Sequence, residues 1–427
     1  WRVVAIGFFA GIVVLAAALI VARDTAFIQN IGFLNRLSSI SLTDSTTKAR
    51  FFNMSMAWQG VKERPILGWG QENYAIVFDK YYDPRMYAQE QWFDRVHNSI
   101  FDWWIAGGTL GLLAFLSVFL AALWVLWRSI FGYGGSTAAF THEERSVLTG
   151  LLAAYFLHNL TVFDNITSSI LFATVLGYIA YREVAATGVL PVFNTSFVPY
   201  RMLPLVSIAC GIFALVSVWS INSSAYAANK ALIQAMQGQQ GGVEENLRLF
   251  EKAISYQSLG TQEAREQLAQ VSLSILASDQ VPADMKVRFV QLAISELDKQ
   301  SAASPLDARH PLFAAGILSA AGLYEDAVVY YQKAHELSPG KQTILYQMGQ
   351  NALALGDGEA GLKYFKEAYE LEKSNLTAAT YLAYMYYSTG KKNDAISVLE
   401  EVARINREKE GETKKLIDDI KNGTLRL

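Results

Sequence analysis

An all-α chain in two parts is what the sequence predicts: a polytopic bundle of transmembrane helices, then a soluble α-solenoid built from helix hairpins. Three observations carry this. Uncharged apolar runs recur from the start of the chain to Ile221, at or near the length a helix needs to cross a bilayer. Beyond them the chain reads as an ordinary soluble, helix-rich polypeptide, although the whole of its 427 residues is 52% hydrophobic and only 18% charged. In that second half, small and aromatic residues return at a fixed spacing of 34 positions.

The first span is residues 1–23, where Val3–Val21 carries no charge and is bracketed by Arg2 and Arg23. The chain opens on Trp1 and is apolar at once, and no small-residue cleavage site follows the run. It therefore reads as a span of a larger membrane protein through which the chain is cut, not as a secretion signal. Residues 24–98 make a polar loop, and residues 99–221 hold four further spans. The first of these, Trp103–Trp127, is uncharged throughout and closed by Arg128. A polar stretch with Gly132, Gly134 and Gly135 leads to Val147–Phe163 and Ile166–Tyr181. These are short spans separated only by Asp164 and Asn165, and together they read as a tight hairpin. Pro191 and Pro199 mark a linker, and Met202–Ile221 is the last span.

Orientation follows from Lys and Arg in the short connections. With loop 24–98 outside, Arg2, Arg128, Arg145, Arg182 and Arg201 all fall on the cytoplasmic side, so the loop and everything after Ile221 are expected on the extracytoplasmic side of the membrane. The net charge of −3 excludes a nucleic-acid binder, which needs a basic surface. The single Cys210 excludes an intrachain disulfide.

In the second half, Gly322, Gly356 and Gly390 are evenly spaced by one such period. So are Ala327, Gly361 and Ala395, then Tyr331, Phe365 and Leu399, then Ala334, Ala368 and Val402. Small side chains at these offsets let the two helices of a hairpin approach, and the Gly supplies the turn. The pattern, with Pro339 after a second helix, resembles the tetratricopeptide repeat. Residues 301–410 are read as such repeats, 222–300 as a helical linker with degenerate units near Val243–Gln257, Thr261–Ala277 and Ala293, and 411–427 as a tail. Stacked hairpins leave a concave face, so a protein partner on the repeats is expected. His310 and His335 are expected to face solvent.

Candidate chemistry lies in the polar loop. From Asp24 to Arg95 it holds eight Lys or Arg and eight Asp or Glu, so no bulk field attracts an anion, and any anion site needs placed arginines. Arg50 and Arg64 are the candidate substrate-binding residues. Arg50 opens a helical pattern of Phe51, Met54, Ala57, Trp58 and Val61, which puts it in the first turn, where a guanidinium can pair bidentately with a phosphate. Read from the residues alone, an exposed side chain or one bound to a neighbouring carboxylate is the favoured alternative. His97, just ahead of an uncharged span, is the candidate catalytic base, with Asp94 or Asp102 to orient its ring. The alternative is a cap on the membrane helix, alone or with Asn98. The aromatics Trp69, Tyr74, Phe78, Tyr81, Tyr82, Tyr87, Trp92 and Phe93 either stack on sugars or anchor the loop at the lipid interface. His158 lies inside an expected span, and Asp164 in the outer turn beside it. No zinc spacing, phosphate-cradling glycine loop or serine nucleophile motif is present.

Taken together, Arg50, Trp58 and Pro65-Ile66-Leu67-Gly68-Trp69-Gly70, then His97-Asn98-Ser99-Ile100 and Gly107-Gly108-Thr109-Leu110-Gly111, resemble the O-antigen ligase and polymerase superfamily. Tyr155, His158-Asn159, Phe163-Asp164, Ser168 and Phe172 are similar to its closing helices, and the resemblance covers roughly residues 45–185. It implies a metal-independent membrane glycosyltransferase without cofactors. Such an enzyme moves a glycan from an undecaprenyl-diphosphate carrier to a lipid, glycan or protein acceptor in surface polysaccharide assembly, including lipopolysaccharide. His97 would then activate the acceptor hydroxyl, and Arg50 would hold the donor diphosphate. The family has more spans than the five of this chain, and further arginines on earlier outer loops, so the chain is expected to be a fragment of the full enzyme. The competing expectation is a non-catalytic, membrane-anchored repeat scaffold; a transporter is a third.

Overall fold

The structure, a computed structural model, describes residues 10–11, 14–15, 17–38, 45–131, 139–188 and 199–425, and all regular structure among them is helical. Much of the expected first span, the glycines at 132, 134 and 135, and the linker proline at 191 lie outside the described residues. Two short helices, Ala26–Asn30 and Gly32–Ser38, precede α1 (Ser45–Glu63) and α2 (Tyr74–Lys80) of the loop region. The chain then runs through α3 (Ser99–Trp127), α4 (His142–His158), α5 (Ile166–Thr187) and α6 (Leu203–Ala235); α3 packs on α4 and α5, while α6 is almost wholly exposed from Leu203 to Ile221.

Three helical stretches among the described residues are long and apolar enough to cross a membrane: Ser99–Phe131, Ile166–Thr187 and Leu203–Ala235. The span expected at Val147–Phe163 has different bounds in α4. This helix starts at His142, not Val147, because Thr141 and Glu144 form a reciprocal capping box, and its 17 residues include a charged first turn. The end of the bundle that holds this turn is tied by Arg182 to Glu144 at 2.7 Å and by Arg128 to Glu183. His158 ends α4 and is exposed.

α3 is broken at Gly108, whose φ of 61° and ψ of −162° are open essentially to glycine alone. An unbroken helix would pair the N–H groups of Thr109 and Leu110 with the carbonyls of Ile105 and Ala106. Here all four groups find partners in the loop between α1 and α2. Thr109 and Leu110 donate to the Pro65 and Ile66 carbonyls at 2.8 and 3.4 Å, while Trp69 and Gly70 donate to Ile105 and Ala106 at 2.7 and 3.0 Å. Backbone can leave a helix at membrane depth only if its polar groups are satisfied in this way. A Cβ on Gly108 would lie 2.2 Å from the Ile66 oxygen, and one on Gly68 2.4 Å from the Ile105 oxygen. The two glycine-bearing motifs are therefore halves of one interlock.

The loop region has its own core of Met56, Ala57, Val61, Trp69, Tyr74, Phe78, Tyr82 and Phe93, all buried. This corrects the reading of its aromatics as sugar platforms or lipid anchors. Most of them are interior packing, and their number reflects what a small loop domain needs to bury.

α6 does not stop where the expected last span ends. It continues past Ile221 to Ala235, and its buried Ala228, Ala231, Leu232 and Ala235 pack on the next helices. These are α7 (Gly242–Ser255), α8 (Thr261–Ala277) and α9 (Ala283–Ala303). Three hairpins follow: α10 (Arg309–Ala320) with α11 (Tyr324–Leu337), α12 (Gln342–Ala354) with α13 (Gly358–Leu371), and α14 (Leu376–Ser388) with α15 (Lys392–Ile405). Gly322, Gly356 and Gly390 turn each hairpin at φ of 79°, 81° and 80°. Ala327, Phe365, Ala368, Ala395, Leu399 and Val402 have no exposed surface. The region is a tetratricopeptide-like solenoid in the register that the glycine spacing predicts. The expected tail instead forms α16 (Glu410–Asn422), whose buried Ile420 closes the solenoid core. His310 is fully buried, 3.6 Å from Glu266, against the expectation of solvent exposure.

The solenoid packs on the loop through the ends of α10, α12 and α14. The Ala308 N–H donates to Asp79 at 3.0 Å, Gln342 to the Pro84 carbonyl at 3.1 Å, Thr343 to the Gln91 side chain at 2.8 Å, and Tyr87 to the Ser374 carbonyl at 3.4 Å. Burial pushes the Asp79 carboxyl up, to about 7, with Asp307 adding to the shift.

Candidate functional site

The site is built where the start of α3 meets α1 and the turn between α4 and α5. Asn98 caps α3, its side chain accepting from the Ile100 and Phe101 N–H groups at 3.0 and 3.1 Å. Its amide also donates to the Leu160 carbonyl at 2.9 Å and faces the Met54 sulfur of α1 at 3.7 Å. The Ser99 N–H donates to the Asn159 carbonyl at 2.8 Å. One residue thus holds three elements at one corner, and the capping role offered as an alternative for His97 belongs to Asn98.

His97, next to that corner, has a φ of 62°. Residues other than glycine reach this region rarely, and they do so where their surroundings dictate it. Both neighbours are fixed. The buried Val96 donates its N–H to Asp102 at 2.8 Å, and Asn98 is held as above. Asp102 therefore holds the backbone of the residue before the histidine. Asp94 pairs with Arg309 at 3.1 Å. Neither carboxylate orients the ring, contrary to the expectation. The ring instead stands edge-on between Phe93 and Phe163, at centroid distances of 5.5 and 5.1 Å. Among the described residues no group hydrogen-bonds to its nitrogens. Burial, and after it the Arg50 charge, hold the His97 pKa below the ordinary 6.5, against the opposing pull of Glu90. The imidazole is therefore neutral at neutral pH, with its unprotonated ring nitrogen free to accept a proton.

Arg50 lies in the second turn of α1, not the first, because the helix starts at Ser45. It sits one turn before Met54 and so shares the face that meets Asn98. Among the described residues it has no ion pair or hydrogen bond, and its charge bears on His97. Arg64 is elsewhere. It follows the far end of α1, about 20 Å along the helix from Arg50 at roughly 1.5 Å per residue, and lies over the Trp69 ring at 4.0 Å. The structure brings Arg50 and His97 together and leaves Arg64 apart.

Beside His97 is a cavity of about 170 Å³, bounded by Gln71, Arg95, Asp102, Trp103, Phe163 and Asp164. Asp102 Oδ2 is buried without a hydrogen-bond partner, and Asp164 accepts from Tyr155 and from Ser168. Carboxylates and an arginine next to an indole face offer partners for hydroxyl groups on an otherwise apolar ring. Sequence reasoning missed Phe93 and Phe163 as the walls of the histidine. Among the described residues no group of three or more His, Cys, Asp or Glu is placed to hold a metal ion.

Among the described residues, then, a neutral histidine without a hydrogen bond lies near an arginine without an ion pair, in the region of the two interlocked glycine motifs. Residues 1–116 match the O-antigen ligase family. The O-antigen ligase match thus includes Arg50, His97 and both halves of the interlock. It supports a glycosyltransferase-type role in polysaccharide assembly for a membrane protein. No curated protein sequence matches the chain. Among solved structures, MamA from Desulfovibrio magneticus RS-1 is similar at 15% identity and a TM-score of 0.33, over 44% of this chain and 98% of that one. A thermophilic TPR protein of Thermus thermophilus is similar at 19% identity and a TM-score of 0.30, over 45% of this chain and 98% of that one.

Proposed function

We propose that this corner is the acceptor side of a glycosyl-transfer site on the extracytoplasmic face of the bacterial inner membrane. The donor is a glycan on undecaprenyl diphosphate, and the acceptor is a hydroxyl of a lipid, glycan or protein. The acceptor oxygen bonds to the anomeric carbon as the bond from that carbon to the diphosphate breaks, and His97 takes the hydroxyl proton. Arg50 faces the diphosphate charge that grows as the bond breaks. Diphosphate is already a good leaving group, so one base and a placed cation suffice, and no metal is required for the step. The cavity beside His97 takes the sugar that carries the hydroxyl. An apolar cleft of about 450 Å³ between α4 and α5, lined by Leu151, Tyr155, His158 and Phe172, has the character an isoprenoid tail needs.

The observation that carries this reading is the closeness of a neutral His97, whose ring has no hydrogen bond among the described residues, to an Arg50 that has no ion pair among them. Arg50→Ala in the full-length protein tests it. Transfer of lipid-linked glycan is expected to fall by roughly two to three orders of magnitude, the scale of a lost oxyanion donor. Membrane insertion should be unchanged. Arg50→Lys should recover only part, since an ammonium does not pair bidentately with a phosphate. Transfer at the wild-type rate by Arg50→Ala would leave a membrane-anchored scaffold as the better reading.

A further inference from the structure

We propose that the repeat solenoid is the brace of the loop that carries His97, with Lys341 and Arg309 as positioning residues acting through residues 91–94. The proposal rests on the reading of His97 as the base. Lys341 stands just ahead of α12 and is fully buried, although lysine is among the residues least often found so. Its ammonium donates to the Gln91 carbonyl and lies over the rings of Trp92, Tyr82 and Phe78 at 3.7, 4.7 and 5.2 Å. Phe78 packs on Phe93 at 5.3 Å, and Phe93 is one wall of the His97 ring. A continuous line of contacts therefore runs from the solenoid to the imidazole. Arg309, at the start of α10, adds a second tie. It pairs with Asp307 at 2.8 Å and with Asp94 at 3.1 Å, just ahead of the histidine in the chain.

Two further features point the same way. The left-handed backbone of His97 needs an outside hold, and the segment leading into it is gripped by the solenoid at Gln91, Trp92 and Asp94. The solenoid is itself anchored, because α6 runs unbroken from the membrane into its first packed layer. A platform that only recruited partners would leave this rim open. Here Ala308, Lys341 and Gln342 are buried against the chain's own loop. A partner must therefore take another surface of the repeats.

The test uses the full-length, membrane-inserted protein and the host's own lipid-linked glycan. Lys341→Met keeps the apolar stem and removes the charge and the hydrogen bond. The expected result is a kcat lower by roughly ten- to a hundredfold, the scale of a small misplacement at a reacting centre, with KM for the glycan unchanged. Loosening Phe93 admits water to His97, which Arg50 and Glu90 also face. The acid limb of the rate profile should therefore move to higher pH. Lys341→Arg should restore part of kcat, and amide exchange over residues 86–96 should rise in Lys341→Met. The milder Thr343→Val, which deletes only the bond to Gln91, should shift kcat the same way by less, and serves if Lys341→Met fails to accumulate. Unchanged exchange, or raised exchange with kcat and the acid limb unmoved, overturns the brace. Activity surviving in a His97 variant would instead remove the reading of the site, while the exchange data still judged the docking.

Discussion

His97→Asn is expected to lower glycan transfer by about three orders of magnitude, within the range seen when a positioned general base is removed. Asparagine is the informative replacement because it tolerates the left-handed backbone that His97 adopts, so the fold is not asked to relax. The structural loss should be small. Among the described residues the ring makes no hydrogen bond, and its two edge contacts to Phe93 and Phe163 are worth on the order of 1 kcal/mol each. Equal membrane levels and thermal stability, with transfer lost, are the expected pair of results. Transfer that survives would remove His97 from the mechanism.

The same geometry fixes a pH dependence. Only neutral His97 accepts a proton, and its pKa is held below 6.5 in the free protein. Activity should therefore persist as pH falls through 6.5 and drop only below it. Arg50 is one cause of the lowering. A diphosphate paired with Arg50 cancels that charge and raises the basicity of His97. The acid limb of kcat, which reports the donor complex, should thus lie at higher pH than the limb of kcat/KM, which reports the free enzyme. Arg50→Ala should bring the two limbs together by raising the lower one.

The helical solenoid was legible because its signal is periodic. In each repeat the same small or apolar position meets the same neighbour, and Gly322, Gly356 and Gly390 need one backbone conformation. The membrane helices were legible from the absence of charge. Their ends were legible only in part: Asn98 could be offered as the cap of α3, but Thr141 sets the start of α4 by capping, which overrides hydropathy within a turn. Arg50 and His97 could be singled out by residue type and resemblance, but the walls of the histidine could not. Phe93 and Phe163 lie far apart in the chain and meet only in the fold. The docking of the solenoid did leave one trace. Asp307, Lys341 and Asn375 share one repeat offset, and all three are buried. Asp307 and Asn375 accept from backbone N–H groups at the starts of α10 and α14, whereas a lysine cannot accept. A donor-only side chain where its counterparts accept implies an acceptor from outside the repeats, here the Gln91 carbonyl.

Gly108→Ala should be the most damaging single methyl in the chain. Its Cβ would lie 2.2 Å from the Ile66 oxygen and 2.3 Å from the Ile66 carbon, which are backbone atoms that cannot swing aside. Relief requires α3 to part from the loop after α1. The four backbone hydrogen bonds of the interlock are then lost, at about 1 kcal/mol each, and alanine in this backbone region adds roughly 1–3 kcal/mol of strain. A sum on the order of 5 kcal/mol rivals the whole stability of a typical domain. The expected outcome is little folded protein in the membrane and no transfer, read by detergent-resistant yield and thermal unfolding. Gly68→Ala should act alike, since its Cβ meets Ile105 and Gly108 from the other side of the interlock. Gly107→Ala is the control. It is the preceding residue, nothing lies within 4 Å of its Cβ, and it should be neutral or slightly stabilising in a helix. Equal tolerance of alanine at 107 and 108 would mean that the loop does not enter the helix break. The site would then lose its support, because Arg50 lies on the helix that leads into the interlock and His97 just ahead of the helix that the interlock breaks.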